Sequence, residues 1–143
     1  MFETKIKTRY AETDQMGVIH HSVYPIYYEA ARVDFCEKIG LPFHKIEEMG
    51  LMQALKTMTC EYIASAYFGD ELLIQLTIAE LTKVKVTFTY QIFNQHKNLI
   101  HEASTKLVWL DKSFKICNIE KKYPVVYEAM KNAFDHQPSQ LNK

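Results

Sequence analysis

Residues 12–32, ETDQMGVIHHSVYPIYYEAAR, decide how this chain is read. An acid, Asp14, stands before a glycine and two adjacent histidines, and a tyrosine-rich segment follows at once. Ser22 is a favourable N-cap, and Pro25 falls in the first turn, where its missing N–H does no harm. The spacing predicts a helix from there to about Ile39, with Gly40 stopping it. From Val23 to Tyr28 the helix carries no charge, as expected of a helix that sits inside something. Its second half, with Glu29, Arg32, Asp34, Glu37 and Lys38, should meet water.

On the N-terminal side, residues 4–10 alternate, with Ile6, Thr8 and Tyr10 on one face and Lys5, Lys7 and Arg9 on the other, a short strand. On the C-terminal side, LPFHKIEEMG reads as a short second helix and turn, and then the period becomes two. Met52, Ala54, Met58, Cys60 and Tyr62 share one parity. Leu72, Ile74, Leu76 and Ile78 alternate after the FGDE turn, then Val84, Val86, Phe88, Tyr90 and Ile92. Leu99, Ala103, Leu107 and Trp109 share a face in the next run, and DKS turns the chain into FKICNI. PVVYEAMKNAF closes as a helix, and residues from about 136 to 143 read as a frayed tail of this one domain, 1–143.

One long helix beside four or five further antiparallel strands implies an α+β fold. A single antiparallel sheet can bury that helix only by curling around it.

Composition narrows the function classes. Lys plus Arg and Asp plus Glu are both 17, so net charge supports no nucleic-acid partner. Cys36, Cys60 and Cys117 form no paired framework, which suits a reducing compartment. The charged start MFETKIKTRY lacks the apolar run of an export signal, so a cytoplasmic protein is expected. No cofactor is implied. Adjacent His20 and His21 point different ways and have no third ligand at usual spacing, so no metal site is expected.

A helix N-terminus offers free N–H groups and partial positive charge, which can hold an oxyanion. His21 and Ser22 stand there, and Asp14 precedes them across Gly17, which lets the chain turn tightly. A carboxylate beside a bound carbonyl could act as base or nucleophile. This arrangement permits acyl transfer without demanding it, because an acid before a helix is more often a cap or turn residue.

RYAETDQMGVIHHSVYPIYYEAAR resembles the signature of the hotdog-fold acyl-CoA thioesterases, in the 4-hydroxybenzoyl-CoA thioesterase family and its YbgC-like branch. The residues that carry the likeness are Arg9, Thr13, Asp14, Gly17, Val18, Ile19, His21, Ser22 and Tyr24, and the YFGDEL turn extends it. The resemblance implies a curled sheet around a central helix and hydrolysis of an acyl-CoA thioester. Asp14 resembles the catalytic carboxylate. His21 matches the branch's histidine, with its backbone N–H facing the thioester carbonyl. Gly17, Val18, Ser22 and Tyr24 fall within the implied substrate site. Lys83 and Lys85, with Lys106, are weak candidates for CoA phosphates, since strand-face lysines are usually just solvated. A homodimer or homotetramer is implied.

Plainer readings stand beside these. Tyr24, Tyr27 and Tyr28 fit a core better than an acyl pocket. His20 is read as a loop residue, Glu29 as solvated or ion-paired, and Cys36 and Cys60 as structural thiols. Glu61 is a weak candidate for a partner's site. Three rival functions remain: an acyl-carrier-protein thioesterase, a hotdog dehydratase and a non-catalytic acyl-binding module. A dehydratase needs the acid on the central helix, and here it precedes the helix.

Overall fold

A computed structural model describes residues 2–137. Five strands form one antiparallel sheet in the order β1-β3-β4-β5-β2: β1 (Phe2–Lys7), β2 (Met52–Tyr62), β3 (Glu71–Leu81), β4 (Lys85–Phe93) and β5 (Leu99–Leu110). The helices are α1 (Tyr24–Lys38), α2 (Phe43–Glu48), α3 (Ile119–Lys122) and α4 (Pro124–His136). This is the α+β hotdog arrangement, a sheet with α1 against its inner face.

α1 is seated by one stripe: Tyr24, Tyr27, Tyr28, Ala31 and Phe35 are all buried. Tyr28 stacks on Tyr90 of β4 at 4.8 Å between centroids, and Phe35 meets Phe88 edge-on at 5.5 Å. Arg32 reaches the same face and donates to the Tyr90 hydroxyl at 3.0 Å. The stripe does not extend all round, as the uncharged run had suggested, because Ile26 on the opposite face is 59% exposed. Gly40 ends the helix at φ +82°, the left-handed turn that favours glycine.

The inner faces of β3 and β4 follow the expected alternation: Leu72, Ile74, Leu76, Ile78, Val86, Phe88, Tyr90 and Ile92 are buried. Three bounds differ from the sequence reading. β1 stops at Lys7, because the Glu12 carboxylate captures the Arg9 N–H at 2.9 Å and folds residues 10–12 into a 3₁₀ turn. In β2 a bulge between Leu55 and Thr57 switches parity. Gln53 and Leu55 oppose buried Trp109 and Leu107, and Met58, Cys60 and Tyr62 oppose Thr105, Ala103 and His101. Met52 and Ala54 are therefore not on the face of Met58, Cys60 and Tyr62. The FKICNI segment is no strand: it makes one bridge, Leu110 to Ile116, before α3.

β2 is an edge strand, exposed over most of its length, with Leu55, Met58 and Tyr62 all open to solvent in the single chain. α4 covers the β3 end of the sheet, with Val126 and Met130 buried. Its last residue is His136, and the Gln137 side chain accepts from the Ile78 N–H at 3.0 Å. The remainder of the tail expected from about 136 lies outside the described residues. Among the described residues no helix is long and apolar enough to cross a membrane.

Candidate active site

Residues 13–19 form a small hairpin between β1 and α1. Asp14 donates its N–H to the Val18 carbonyl at 2.9 Å, and Thr13 bridges to Ile19. Gly17 takes φ +81° at the tip, and its N–H reaches the Asp14 carbonyl at 3.1 Å. Asp14 Oδ1 accepts from the Met16 N–H at 2.8 Å and lies 3.4 Å from the Val18 N–H. One carboxylate oxygen thus holds the turn, and Oδ2 has no protein donor among the described residues. The hairpin lies along residues 66–67, through Ile19 N–H to Ala66 O at 2.8 Å and a bridge from Val18 to Tyr67.

The chain then enters a 3₁₀ turn, His21–Val23, which leads into α1. Its cap is the His20 side chain and not Ser22: His20 Nδ1 accepts from the Ser22 N–H at 3.1 Å and stands 2.8 Å from Ser22 Oγ. His20 is therefore a loop residue with a structural task. The His20 and His21 rings stack at 4.2 Å. The His21 N–H has no protein acceptor among the described residues. The His21 carbonyl accepts from the Tyr62 hydroxyl at 2.7 Å.

These residues surround a cleft of about 290 Å³, lined by Asp14, Val18, His21 and Tyr24 on one side and by residues 62–65, just beyond and at the end of β2, on the other. Larger cavities exist elsewhere, of about 430 Å³ between Phe2 and α4, about 320 Å³ between α2 and Trp109, and about 300 Å³ over β2 and β5 beside Glu61 and Glu102. This cleft is distinguished from them by lying at the turn that opens α1, with Asp14 and His21 on one wall. Among the described residues no three metal-ligating side chains cluster.

Four of the residues expected in the site from sequence line the cleft: Asp14, Val18, His21 and Tyr24. Gly17 shapes the hairpin tip without lining the cleft, and the Ser22 side chain is turned to His20. Lys83 and Lys85 are not brought to the cleft of their own chain. Lys83 pairs with Glu120 at 3.5 Å, and Lys85 opposes Val108. Tyr62, at the cleft, opposes His101 and so Ile92, seven residues along β4 from Lys85, a span of about 23 Å at the usual strand rise.

Three polar residues escape a reading of sequence alone: Glu12 and His101, which do not line the cleft, and Tyr62, which does. Glu12 is buried, and its carboxylate accepts from Arg9 N–H, Arg9 Nε and Tyr27 Oη. Burial alone would raise its pKa, but the hydrogen bonds from the Arg9 backbone, Tyr27 and the Arg9 guanidinium more than offset that, and it ends below the ordinary value. His101 is fully buried, stacks on Tyr24 at 4.3 Å and meets the Tyr28 hydroxyl through Nε2, while Nδ1 has no partner. Burial pushes its pKa down to about 4. Tyr62 is pushed up to about 12, first by burial and then by Cys60 beside it, so it remains a donor at neutral pH. A signal existed for His101, whose parity matches Ala103, Leu107 and Trp109.

The profile of the thioesterase-like superfamily matches residues 8–134. The acyl-CoA thioester hydrolase YbgC of Escherichia coli is 31% identical over 116 residues, 78% of this chain and 83% of that one. Among solved structures, the DHNA-CoA thioesterase of Staphylococcus aureus superposes with a TM-score of 0.89 at 28% identity, covering 92% of this chain and 89% of that one. The Thermus thermophilus protein TT1821 superposes with a TM-score of 0.87 at 36% identity, covering 93% and 99%.

Proposed function

This chain belongs to the thioesterase-like superfamily, and on that premise we propose that it hydrolyses acyl-CoA thioesters to the free acid and CoA. The observation that carries this is the meeting of Asp14 and His21 on one cleft wall, with an uncommitted carboxylate oxygen and an unpaired N–H.

The thioester carbonyl enters with its oxygen toward the His21 N–H. By one route Asp14 takes a proton from water, and the resulting hydroxide adds to the carbonyl carbon. By the other, Asp14 adds directly, forms a mixed anhydride and is released by water. In both, the backbone donor and the positive end of α1 stabilise the oxyanion. The C–S bond then breaks and its electron pair leaves on sulfur. Thiols have pKa near ~8.5, so the thiolate departs with little general-acid help.

The active form is a homodimer, alone or paired again into a tetramer. Support comes from β2, an edge strand of 11 residues whose apolar side chains lie open in the single chain. Proteins seldom leave such an edge uncovered. Three free thiols, Cys36, Cys60 and Cys117, fit a cytoplasmic setting.

The test is release of free thiol by the purified protein from a panel of acyl-CoA substrates, with acyl carrier protein thioesters of matching chains alongside. Turnover of the CoA series is expected. Turnover of the carrier-protein series alone would move the substrate to that class, and turnover of neither would end the thioesterase reading.

A further inference from the structure

The hairpin that carries Asp14 is a short ladder. Its rungs are Glu12 with His20, Thr13 with Ile19, and Asp14 with Val18. The base rung is the His20 N–H donating to the Glu12 carbonyl at 2.9 Å. Glu12 is thus two residues from Asp14 on one limb and, across that rung, one residue from His21 on the other.

The Glu12 side chain fastens this base to the rest of the fold. Oε1 accepts from the Arg9 N–H at 2.9 Å and from Tyr27 Oη, on the buried stripe of α1, at 2.8 Å. Oε2 accepts from Arg9 Nε at 3.1 Å, with Nη2 also at 3.1 Å. Arg9 is largely exposed and Glu12 is buried, so the pair is a poor source of stability in itself but a specific one of geometry. A buried carboxylate with every bond aimed at the loop or the helix fixes where the two limbs stand against α1.

We propose that Glu12, through Tyr27 and Arg9, is a positioning residue that sets the Asp14 carboxylate and the His21 N–H in register for thioester hydrolysis. The catalytic part rests on the thioesterase reading above. Reacting groups displaced by about 1 Å lose on the order of 100-fold in rate, so a clamp at the base of the hairpin has leverage on the chemistry.

The experiment compares wild type, Glu12→Gln and Tyr27→Phe at a temperature where circular dichroism shows each folded. Two readouts are taken: steady-state hydrolysis of an acyl-CoA that the wild type turns over, and amide hydrogen exchange. The expected result is a kcat lower by about 10-fold in Tyr27→Phe and about 100-fold in Glu12→Gln, with KM within about 2-fold. The double variant should fall no further than Glu12→Gln alone, since Tyr27 acts through Glu12. Exchange at the His20 and Asp14 amides should quicken while the β4 amides stay as in wild type. Wild-type kcat in both folded variants overturns the proposal, and so does unchanged exchange at His20 and Asp14. A loss of kcat matched by the unfolded fraction also overturns it, in favour of plain stabilisation. If the wild type hydrolyses no thioester, the thioesterase reading falls instead, and exchange alone decides whether Glu12 sets the loop.

Discussion

The Tyr62 hydroxyl donates a 2.7 Å hydrogen bond to the carbonyl oxygen of His21, joining the end of edge strand β2 to the turn that opens α1. The bond crosses the cleft that both residues line. Replacing Tyr62 with Phe keeps the ring against Tyr24 and His101 and removes only the donor. Stability should fall by about 1 kcal/mol, the usual net value of one hydrogen bond. Turnover should drop several-fold, because the turn loses its outer support. Denaturant melts and initial rates on the same preparation check both, and an unchanged rate would show that the bond does not govern the turn.

Asp14 has two tasks that substitution can separate. Asn retains an acceptor for the Met16 N–H, so the hairpin should hold, whereas Ala releases it. Both should lose about 100-fold or more in kcat, since neither can act as base or nucleophile. Melting temperature should fall for Asp14→Ala and barely move for Asp14→Asn. A panel assay in which Asp14→Asn keeps wild-type rates would remove the carboxylate from the mechanism.

Buried His101 makes folding sensitive to acid. Its folded pKa is about 4 against 6.5 for the free group, because burial disfavours the charged ring. Tyr24, Tyr28 and Tyr62 face it, and none supplies a countercharge near neutral pH. The sign follows from which state binds protons first. Below pH 6.5 the unfolded chain protonates this histidine while the folded chain does not, so stability falls as pH drops. The loss runs down from pH 6.5, is complete only below pH 4 and amounts to about 3 kcal/mol. Urea midpoints at pH 7, 5.5 and 4 should show that slope, and His101→Gln should flatten it. An equal slope in the variant would assign the acid sensitivity elsewhere.

Gly17 tests backbone geometry alone. Its φ is +81°, and a Cβ there would meet nothing within 4 Å. Gly17→Ala should therefore cost only the left-handed penalty, about 1 kcal/mol. If the tip relaxes to escape it, the Asp14 carboxylate moves and activity falls further than stability. Thermal melts beside kcat measure the two effects separately.

Much of this molecule was legible in its sequence, for identifiable reasons. The inner faces of β3 and β4 read correctly because the alternate residues Leu72 to Ile78 and Val86 to Ile92 are all buried, while between them on the other face only Thr77 is. That Asp14, Val18, His21 and Tyr24 would meet at one cleft was legible because they occupy one continuous segment. The failures are places where a local event breaks a period. Lys56 enters β2 as an extra residue at the bulge and reverses the face of everything after it. The strand ending at Lys7 yields to a hydrogen bond from Arg9 to Glu12 that no alternation announces. His20 took the cap from Ser22 because its imidazole accepts from the Ser22 N–H itself, which opens the turn before Ser22 can cap it. Glu12 was missed for a different reason: its partner Tyr27 is 15 residues away, and a buried acid looks like an exposed one until the fold brings its donors together.

The end of β2, at Tyr62, supplies part of one wall of the cleft, and β2 is also an edge strand of the sheet. Tyr62 lies on that edge, so whatever closes the edge also braces the wall. With a second copy as the closing strand, the catalytic rate per chain becomes a function of how many chains are present. Specific activity should then decline on dilution through the association range and recover on concentration. The protein would thereby sense its own abundance, with no effector beyond its own sequence.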